Sequence, residues 1–173
     1  LIQNGADRLD SALMYAAMNG NIETVKFLLD SGATKCNEAF EAACGGGHID
    51  VVNLLLGCTE ERVYNDGLRL ASFRGHINIV EFLIQLGADD YRGAIYSALT
   101  EKHYDILKFL LGKIDDNDGR YETLLNDILY TAAREGNLDI LKFALEKGAD
   151  KIDRAIRVAS NTHIADFLMG YRK

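Results

Sequence analysis

The four histidines could support the widest chemistry in this sequence, because an imidazole can act as a general base or bind a metal. They are His48, His76, His103 and His163. Each stands between a run of small or polar residues and an apolar run, and asparagine takes the same place at Asn21 and Asn137. A catalytic or metal-binding histidine would not be copied at regular intervals and exchanged for asparagine. We therefore predict that these residues lie at turns that begin helices, where side-chain capping is common.

The three cysteines, Cys36, Cys44 and Cys58, could form a disulfide or bind zinc. Their odd number and uneven spacing match neither a disulfide framework nor a zinc-ligand pattern. We expect reduced thiols, as is usual in an intracellular protein. Cys44 replaces an alanine of the repeated pattern described below, which favours a small core residue at this position.

The acidic residues 115–119 could bind calcium. If Gly119 is aligned with the glycine of an EF-hand loop, Ile114 and Leu125 fall where the loop needs carboxylate ligands, so a solvated turn is the better interpretation. The glycines at 45–47 follow no strand and precede no Gly-Lys-Ser/Thr, so they predict a stretched turn between helices and no phosphate site. No nucleophile–base pair or carboxylate pair stands outside the repeated pattern. We therefore expect no catalytic residue, no cofactor and no metal.

Residues 12–33 show the elements that must position these side chains. They read ALMYAAMNGNIETVKFLLDSGA. Apolar residues at helical spacing precede Gly20, Asn21 can cap a second helix, and Gly32 ends that helix. Two short helices on a tight turn cannot bury both of their apolar faces alone, so the unit requires neighbouring copies of itself.

Copies of this unit recur along the whole chain. A large apolar residue in the middle of each second helix marks the register, at Phe27, Leu54, Phe82, Phe109, Phe143 and Phe167. These markers are separated by 27, 28, 27, 34 and 24 residues. Repetition at a period of about 20–50 residues is typical of a solenoid.

Composition and charge restrict the class of partner. The chain has 173 residues, of which 48% are hydrophobic and none is proline, and its net charge is −7. A negative chain lacks the basic surface that nucleic-acid binding needs. The sequence contains no run of about 18 apolar residues and no signal-peptide pattern at its start, so no membrane partner is expected.

The repeated units resemble the ankyrin repeat, a helix–turn–helix unit with a projecting β-hairpin finger. Residues 11–33, SALMYAAMNGNIETVKFLLDSGA, follow most apolar and glycine positions of the consensus G-x-T-P-L-H-x-A-A-x-x-G-H-x-x-V-V-x-x-L-L-x-x-G-A. The Gly-His turn recurs at 47–48 and 75–76, whereas the Thr-Pro-Leu-His start is absent. Most units have about 27 residues against about 33 in the family. The resemblance implies an all-α, ankyrin-type helical-repeat solenoid of five to six helix-turn-helix units that mostly lack the finger. Divergent arrays of large DNA viruses, protists and intracellular bacteria look similar.

We predict a single array over residues 1–173. Its repeats lie at about 8–34, 35–60, 61–89, 90–115 and 116–150, after a partial repeat at 1–7 and before a cap-like repeat at 151–173. Gly5 resembles the glycine stop of a second helix, so we expect a first helix to precede Leu1 in the full protein. The long interval comes from residues 112–127, which include an acidic loop at 115–127 with a hairpin signal at Asn117-Asp118-Gly119.

The resemblance implies that the concave face, formed by the first helices and the fingers, binds another protein of unknown identity. The positions after the paired small residues of each first helix face that way, and they vary between repeats, for instance at Gly45 and Gly46. The candidate partner-binding residues are Met18, Asn19, Phe73, Arg74, Thr100, Glu101, Arg134 and Glu135, together with Asp116, Asp118, Arg120 and Tyr121 of the acidic loop. Phe73 and Arg74 are the best candidates, because aromatic and arginine side chains are typical hot spots.

The expected function is that of a non-catalytic protein–protein interaction scaffold. We expect an intracellular, cytoplasmic protein (in the host cytoplasm for a viral protein or an effector) with no small-molecule substrate. Two alternatives remain open. The chain could be a structural component of a larger particle, or the targeting arm of an enzyme whose catalytic domain lies outside it.

Overall fold

The computed structural model describes residues 2–114 and 119–172, and of residues 2–6 it describes the backbone alone. The described residues form twelve α-helices and contain no strand, which confirms the all-α fold class. The helices are α1 Ile2–Met18, α2 Ile22–Asp30, α3 Cys36–Gly46, α4 Ile49–Leu55, α5 Tyr64–Arg74, α6 Ile77–Gln85, α7 Tyr91–Thr100, α8 Tyr104–Leu111, α9 Tyr121–Glu135, α10 Leu138–Glu146, α11 Ile152–Val158 and α12 Thr162–Tyr171. Two short 3-10 turns, Leu56–Cys58 and Glu61–Val63, lie between α4 and α5.

The helices divide into two compact units, Leu1–Lys113 and Ile114–Lys173. In the first unit, the first helices of successive repeats, α1, α3, α5 and α7, pack side by side, and each second helix packs on the first helix of its own repeat. In the second unit, α9 packs against both α10 and α11, and α11 packs against α12. Each helix pair is therefore covered by a neighbouring pair, as the repeated pattern predicts.

Small buried side chains let the first helices approach one another closely. Ala17 on α1, Ala43 and Cys44 on α3 and Ala71 on α5 are fully buried. Burial raises the pKa of the Cys44 thiol. This agrees with the prediction that Cys44 is a core residue, because a desolvated thiolate is unfavourable.

The register markers of the second helices lie at the surface and not in the core. Phe27 is 67% exposed, and the other five markers are half-buried. The buried positions are the residue two before and the residue one after the marker, such as Val25 and Leu28 on α2 or Val80 and Leu83 on α6. The markers thus give the correct register, one to each second helix.

Three asparagines cap second helices, as predicted for two of them. The side-chain oxygens of Asn21, Asn137 and Asn161 accept hydrogen bonds from the backbone N–H groups three residues later, at 3.0–3.1 Å. The histidines behave differently. His48, His76 and His103 hold the position that precedes the second helix, but their side chains make no capping bond. The predicted turn position is confirmed for these three histidines, and the predicted capping bond is wrong.

The imidazole rings instead reach back to the turn of the preceding repeat. His76 Nε2 lies 3.1 Å from the backbone oxygen of Gly45. Gly47, which has a φ of +83°, lies against the same ring, and a Cβ there would be 2.7 Å from His76 Cε1. Glycine is needed at this place for its backbone conformation and for the space that the ring occupies. His163 is different, because it lies inside α12 and is exposed, while Asn161 takes the capping position.

Four polar side chains on first helices bind the turn that leads into the next repeat. We call them the turn-binding residues, and they are Asp10, Asn37, Asn65 and Asn126. Each accepts hydrogen bonds from one or two backbone N–H groups that lie 23–25 residues later in the chain. Asn65, for example, accepts from Asp89 N at 2.8 Å and from Asp90 N at 3.0 Å. These bonds give an acceptor to backbone N–H groups of the turns that have none within a helix.

A disulfide joins Cys36 and Cys58, so the expectation of three reduced thiols is wrong. Cys36 begins α3 and Cys58 ends the 3-10 turn after α4, and the antiparallel helix pair brings these two places together. Spacing along the sequence could not show this, because 22 residues separate the partners. Gly32, Gly87 and Gly148, which follow the second helices of three other repeats, have positive φ, whereas Gly57 does not. Gly112, which follows α8, also has a negative φ.

Three predicted turns are helical in part. α1 runs from Ile2 to Met18 and so continues through Gly5, where a helix stop was expected. Gly45 and Gly46 form the last residues of α3, and only Gly47 makes the turn. The acidic loop ends earlier than expected, because α9 begins at Tyr121. The hairpin signal lies mostly outside the described residues.

Candidate functional site

The surface that α1, α3, α5 and α7 turn to solvent is the candidate site of the first unit. We call it the first-helix face. Two grooves lie on it, one on each side of α3. The paired small residues that hold these helices together lie below it in the core, so the grooves have a rigid floor.

The groove between α1 and α3 is mainly apolar. It has a volume of about 270 Å³ and is lined by Ser11, Met14, Tyr15, Met18 and Ala42. Met14 is 37% exposed, Tyr15 67% and Met18 48%. Large apolar side chains with this exposure, grouped at one groove, are typical of a protein-binding surface.

A glycine holds the two walls of this groove close together. A Cβ at Gly46 would lie 2.2 Å from the backbone oxygen of Met18. Any larger residue at position 46 would therefore push the end of α3 away from the end of α1. The glycine run that resembles a phosphate loop thus has a packing role here.

The groove between α3, α5 and α7 is lined by both charged and apolar side chains, and we call it the mixed groove. It has a volume of about 420 Å³ and is lined by Glu41, Asp66, Arg69, Leu70, Phe73 and Ser97. The Arg69 guanidinium donates to Asp90 Oδ2 at 2.8 Å and also contacts the Asp66 carboxylate closely. The pKa of Arg69 is raised mainly by the hydrogen bond with Asp90. The negative charges of Asp66 and Asp90 raise it further.

The carboxyl group of Glu41, which also lines this groove, has a raised pKa. Partial burial raises its pKa, and the negative charges of Asp66 and Glu38 add to this effect, while Arg69 opposes it. A half-buried carboxylate with acidic neighbours is stabilised by a cation placed beside it.

The sequence-predicted residues of the first unit lie at or next to this face. Met18, Asn19, Arg74, Thr100 and Glu101 are exposed, and Phe73 is half-buried. The Arg74 guanidinium lies over the Phe73 ring, 5.5 Å from its centroid. Phe73 lines the mixed groove and Met18 the apolar one, so the structure places these two in different grooves.

The predicted residues of the second unit are less uniform. Arg134 is exposed on α9, with its guanidinium 6.0 Å from the centroid of the Tyr130 ring, and Glu135 is half-buried. Arg120 is exposed directly before α9. Tyr121 was expected on an exposed loop, but it is 5% exposed because it is the first residue of α9 and packs into the core. Asp116 and Asp118 lie outside the described residues.

Sequence reasoning missed the residues one helical turn earlier on the same face. They are Met14, Glu41, Arg69 and Tyr96. A signal for them exists in the sequence, since they recur at the intervals of the repeat while differing in size and charge. The predicted positions follow the paired small residues and therefore lie at the ends of the helices.

Other chemistry is not indicated by the described side chains. Within residues 2–114 and 119–172, no group of three or more histidine, cysteine or acidic side chains is arranged to hold a metal ion. None of the helices found there combines the length and the hydropathy needed to cross a membrane.

Curated relatives match this chain over parts of their own length. The chain is 36% identical over 86 residues to protein fem-1 homolog A-like from Mus musculus, covering 43% of this chain and 13% of that protein. It is 35% identical over 125 residues to leucine-rich repeat serine/threonine-protein kinase 1 from Mus musculus, covering 57% of this chain and 6% of that protein. It is 31% identical over 120 residues to ankyrin repeat and KH domain-containing protein mask-1 from Caenorhabditis elegans, covering 62% and 4%. The chain thus spans 13% or less of the length of these relatives.

A solved structure and a family model give the wider match. The fold is similar to the crystal structure of the human ASB11 ankyrin repeat domain, with a TM-score of 0.69 and 24% identity over 93% of this chain and 83% of that one. A family model described as ankyrin repeats in three copies matches residues 1–66, 40–119 and 68–155. Because these matches cover more than half of the sequence, the chain belongs to the ankyrin repeat family.

Proposed function

We propose that this chain is a non-catalytic scaffold that binds a partner protein on the first-helix face of residues 2–113. Ankyrin repeats are generally protein–protein interaction modules, and the fold is generally non-catalytic. The first helices contact one another more extensively than the second helices do. This arrangement favours the first-helix face as the concave side of the unit.

One observation carries the proposal. Met14, Tyr15 and Met18 expose large apolar side chains along a single groove. Methionine adapts its shape to a partner, and tyrosine combines apolar area with a polar tip. Water contact with such a group is unfavourable, so a partner that covers the groove gains free energy.

The chain offers a matched pair of residues for the test. Tyr15 on α1 and Phe27 on α2 belong to the same repeat, and each is 67% exposed. Tyr15 lies on the first-helix face, whereas Phe27 lies on a second helix. Replacing either side chain with alanine removes a similar exposed aromatic group and should leave the fold intact.

Proteins captured from a lysate by the wild-type chain, by Tyr15→Ala and by Phe27→Ala would be compared by quantitative mass spectrometry. We expect a set of proteins that Phe27→Ala retains and that Tyr15→Ala loses by about tenfold or more, since aromatic hot spots contribute about 2 kcal/mol or more. Phe73→Ala should reduce the same set. A captured set that is insensitive to Tyr15→Ala and Phe73→Ala but depends on Phe27 would refute the first-helix face as the binding site.

We also propose a cytoplasmic location, since ankyrin repeats are usually intracellular. The cysteines no longer support this proposal, because Cys36 and Cys58 form a disulfide. Cytosolic reductants keep most thiols reduced. Fractionation that finds the full-length protein in an oxidising compartment would therefore refute the location.

A further inference from the structure

The two grooves of the first-helix face are adjacent and share one wall. Glu41 and Ala42 are neighbouring residues of α3, and each lines a different groove. Packed helices are separated by about 8–10 Å. A bound chain that crosses α3 therefore reaches both grooves within about 10 Å.

The mixed groove has an excess of negative charge. Arg69, the cation among the described residues that line it, is held between Asp66 and Asp90. Glu41 and the exposed Glu38 lie on the α3 side. A positively charged side chain that enters this groove meets carboxylates on two helices, and the guanidinium of Arg69 is already offset by its two partners.

We propose that the two grooves bind one extended segment of the partner protein, in which a lysine or arginine lies two to four residues from a large apolar side chain. The inference rests on the proposed function and adds the chemistry of the partner. The apolar side chain occupies the groove of Met14, Tyr15 and Met18, and the basic one lies beside Glu41. An extended chain advances about 3.3 Å per residue, so about three residues span the distance between the grooves.

The raised pKa of Glu41 agrees with a basic side chain of the partner lying beside it. Burial and the charges of Asp66 and Glu38 disfavour the Glu41 carboxylate in the unbound chain. A bound ammonium or guanidinium would remove part of that repulsion. Leu70 and Phe73, which line the same groove, fit the aliphatic part of a lysine or arginine side chain.

A displayed library of random 12-residue peptides, selected on the full wild-type chain, tests the proposal. The enriched peptides would be synthesised, and their affinities would be measured for the wild type, Glu41→Gln, Tyr15→Ala and Glu81→Gln. Glu81 is an exposed glutamate on α6, so Glu81→Gln changes the net charge equally on a second helix. Glu38→Gln provides a second variant on α3, should Glu41→Gln fail to fold as judged by circular dichroism.

We expect enriched peptides with lysine or arginine two to four residues from leucine, methionine or an aromatic residue. Glu41→Gln should weaken their binding about tenfold, Glu38→Gln about threefold, and Glu81→Gln not measurably. Peptides that depend on Tyr15 but lack a basic residue, or that bind Glu41→Gln as tightly as the wild type, would overturn the partner chemistry and leave the proposed function standing. A library that enriches no peptide dependent on Tyr15 would also overturn the partner chemistry, whereas the proposed function is refuted by the lysate comparison of Tyr15→Ala and Phe73→Ala with Phe27→Ala.

Discussion

Replacing Asn126 with alanine tests whether the turn-binding residues hold neighbouring repeats together. Asn126 is 6% exposed on α9. Its Oδ1 accepts from the backbone N–H groups of Asp150 and Lys151, both at 2.9 Å, and its Nδ2 donates to Asp150 Oδ1 at 3.0 Å. At about 1 kcal/mol for each bond, the loss is about 3 kcal/mol. Alanine returns about 0.5 kcal/mol of helix propensity. The free energy of unfolding should therefore fall by about 2–3 kcal/mol.

Urea unfolding followed by circular dichroism measures this change. With a slope of about 2 kcal/mol per molar urea, the midpoint should fall by about 1 M. Hydrogen exchange should also become faster at the amides of Asp150 and Lys151, because these amides lose their acceptor. The control is Asn53→Ala, which removes an exposed asparagine from α4 and should change stability by less than about 0.5 kcal/mol. If Asn126→Ala unfolds at the same urea concentration as this control, water replaces the three bonds at no cost and the reasoning fails.

Three further predictions concern the first unit. Lys102 has a φ of +65°, so Lys102→Gly should stabilise the chain by about 1 kcal/mol and raise its melting temperature, and an unchanged temperature would contradict this. Cys58→Ser should lower the free energy of unfolding by about 3 kcal/mol without reductant, because 22 residues separate Cys58 from Cys36. A reductant should bring the wild type to the same level, and a difference that persists would count against the bond. The backbone N–H of Thr34 is the main cause of the lowered pKa of Asp10, so this carboxylate stabilises the fold above about pH 4 and less so as it is protonated at lower pH. Between pH 6 and pH 3, urea midpoints of the wild type should fall towards those of Asp10→Asn, and parallel curves would refute this assignment.

The fold could be predicted because its signals are repeated. A single glycine or phenylalanine has many explanations, but Gly20, Gly47, Gly75 and Gly136 all precede a second helix at the expected place and all have positive φ. The alternation of small and large apolar residues then distinguishes first helices from second helices. Each copy confirms the register of the others, so a wrong assignment in one repeat does not change the helices predicted in the others.

Features that occur once, or that depend on the next repeat, could not be predicted. Tyr121 follows an acidic stretch that resembles a loop, but its side chain is buried at the start of α9. In the sequence, the turn-binding asparagines resemble solvated helix residues, because their partners lie 23–25 residues away. The disulfide has the same cause, since the helix pair and not the spacing brings Cys36 to Cys58. On the first-helix face, the repeated pattern predicted residues at the ends of the helices. It missed the residues one helical turn earlier, such as Met14 and Glu41.

The disulfide also has a mechanical consequence. A chain pulled by its two ends lengthens by about 3.4 Å for each residue that unravels. The segment between Cys36 and Cys58 cannot lengthen in this way, because its ends stay 5.7 Å apart between their Cα atoms. The fully stretched molecule should therefore be about 70 Å shorter than its contour length when oxidised. Force spectroscopy should show this hidden length appear when a reductant is added, so the second repeat can act as a tether whose reach depends on the redox state of its surroundings.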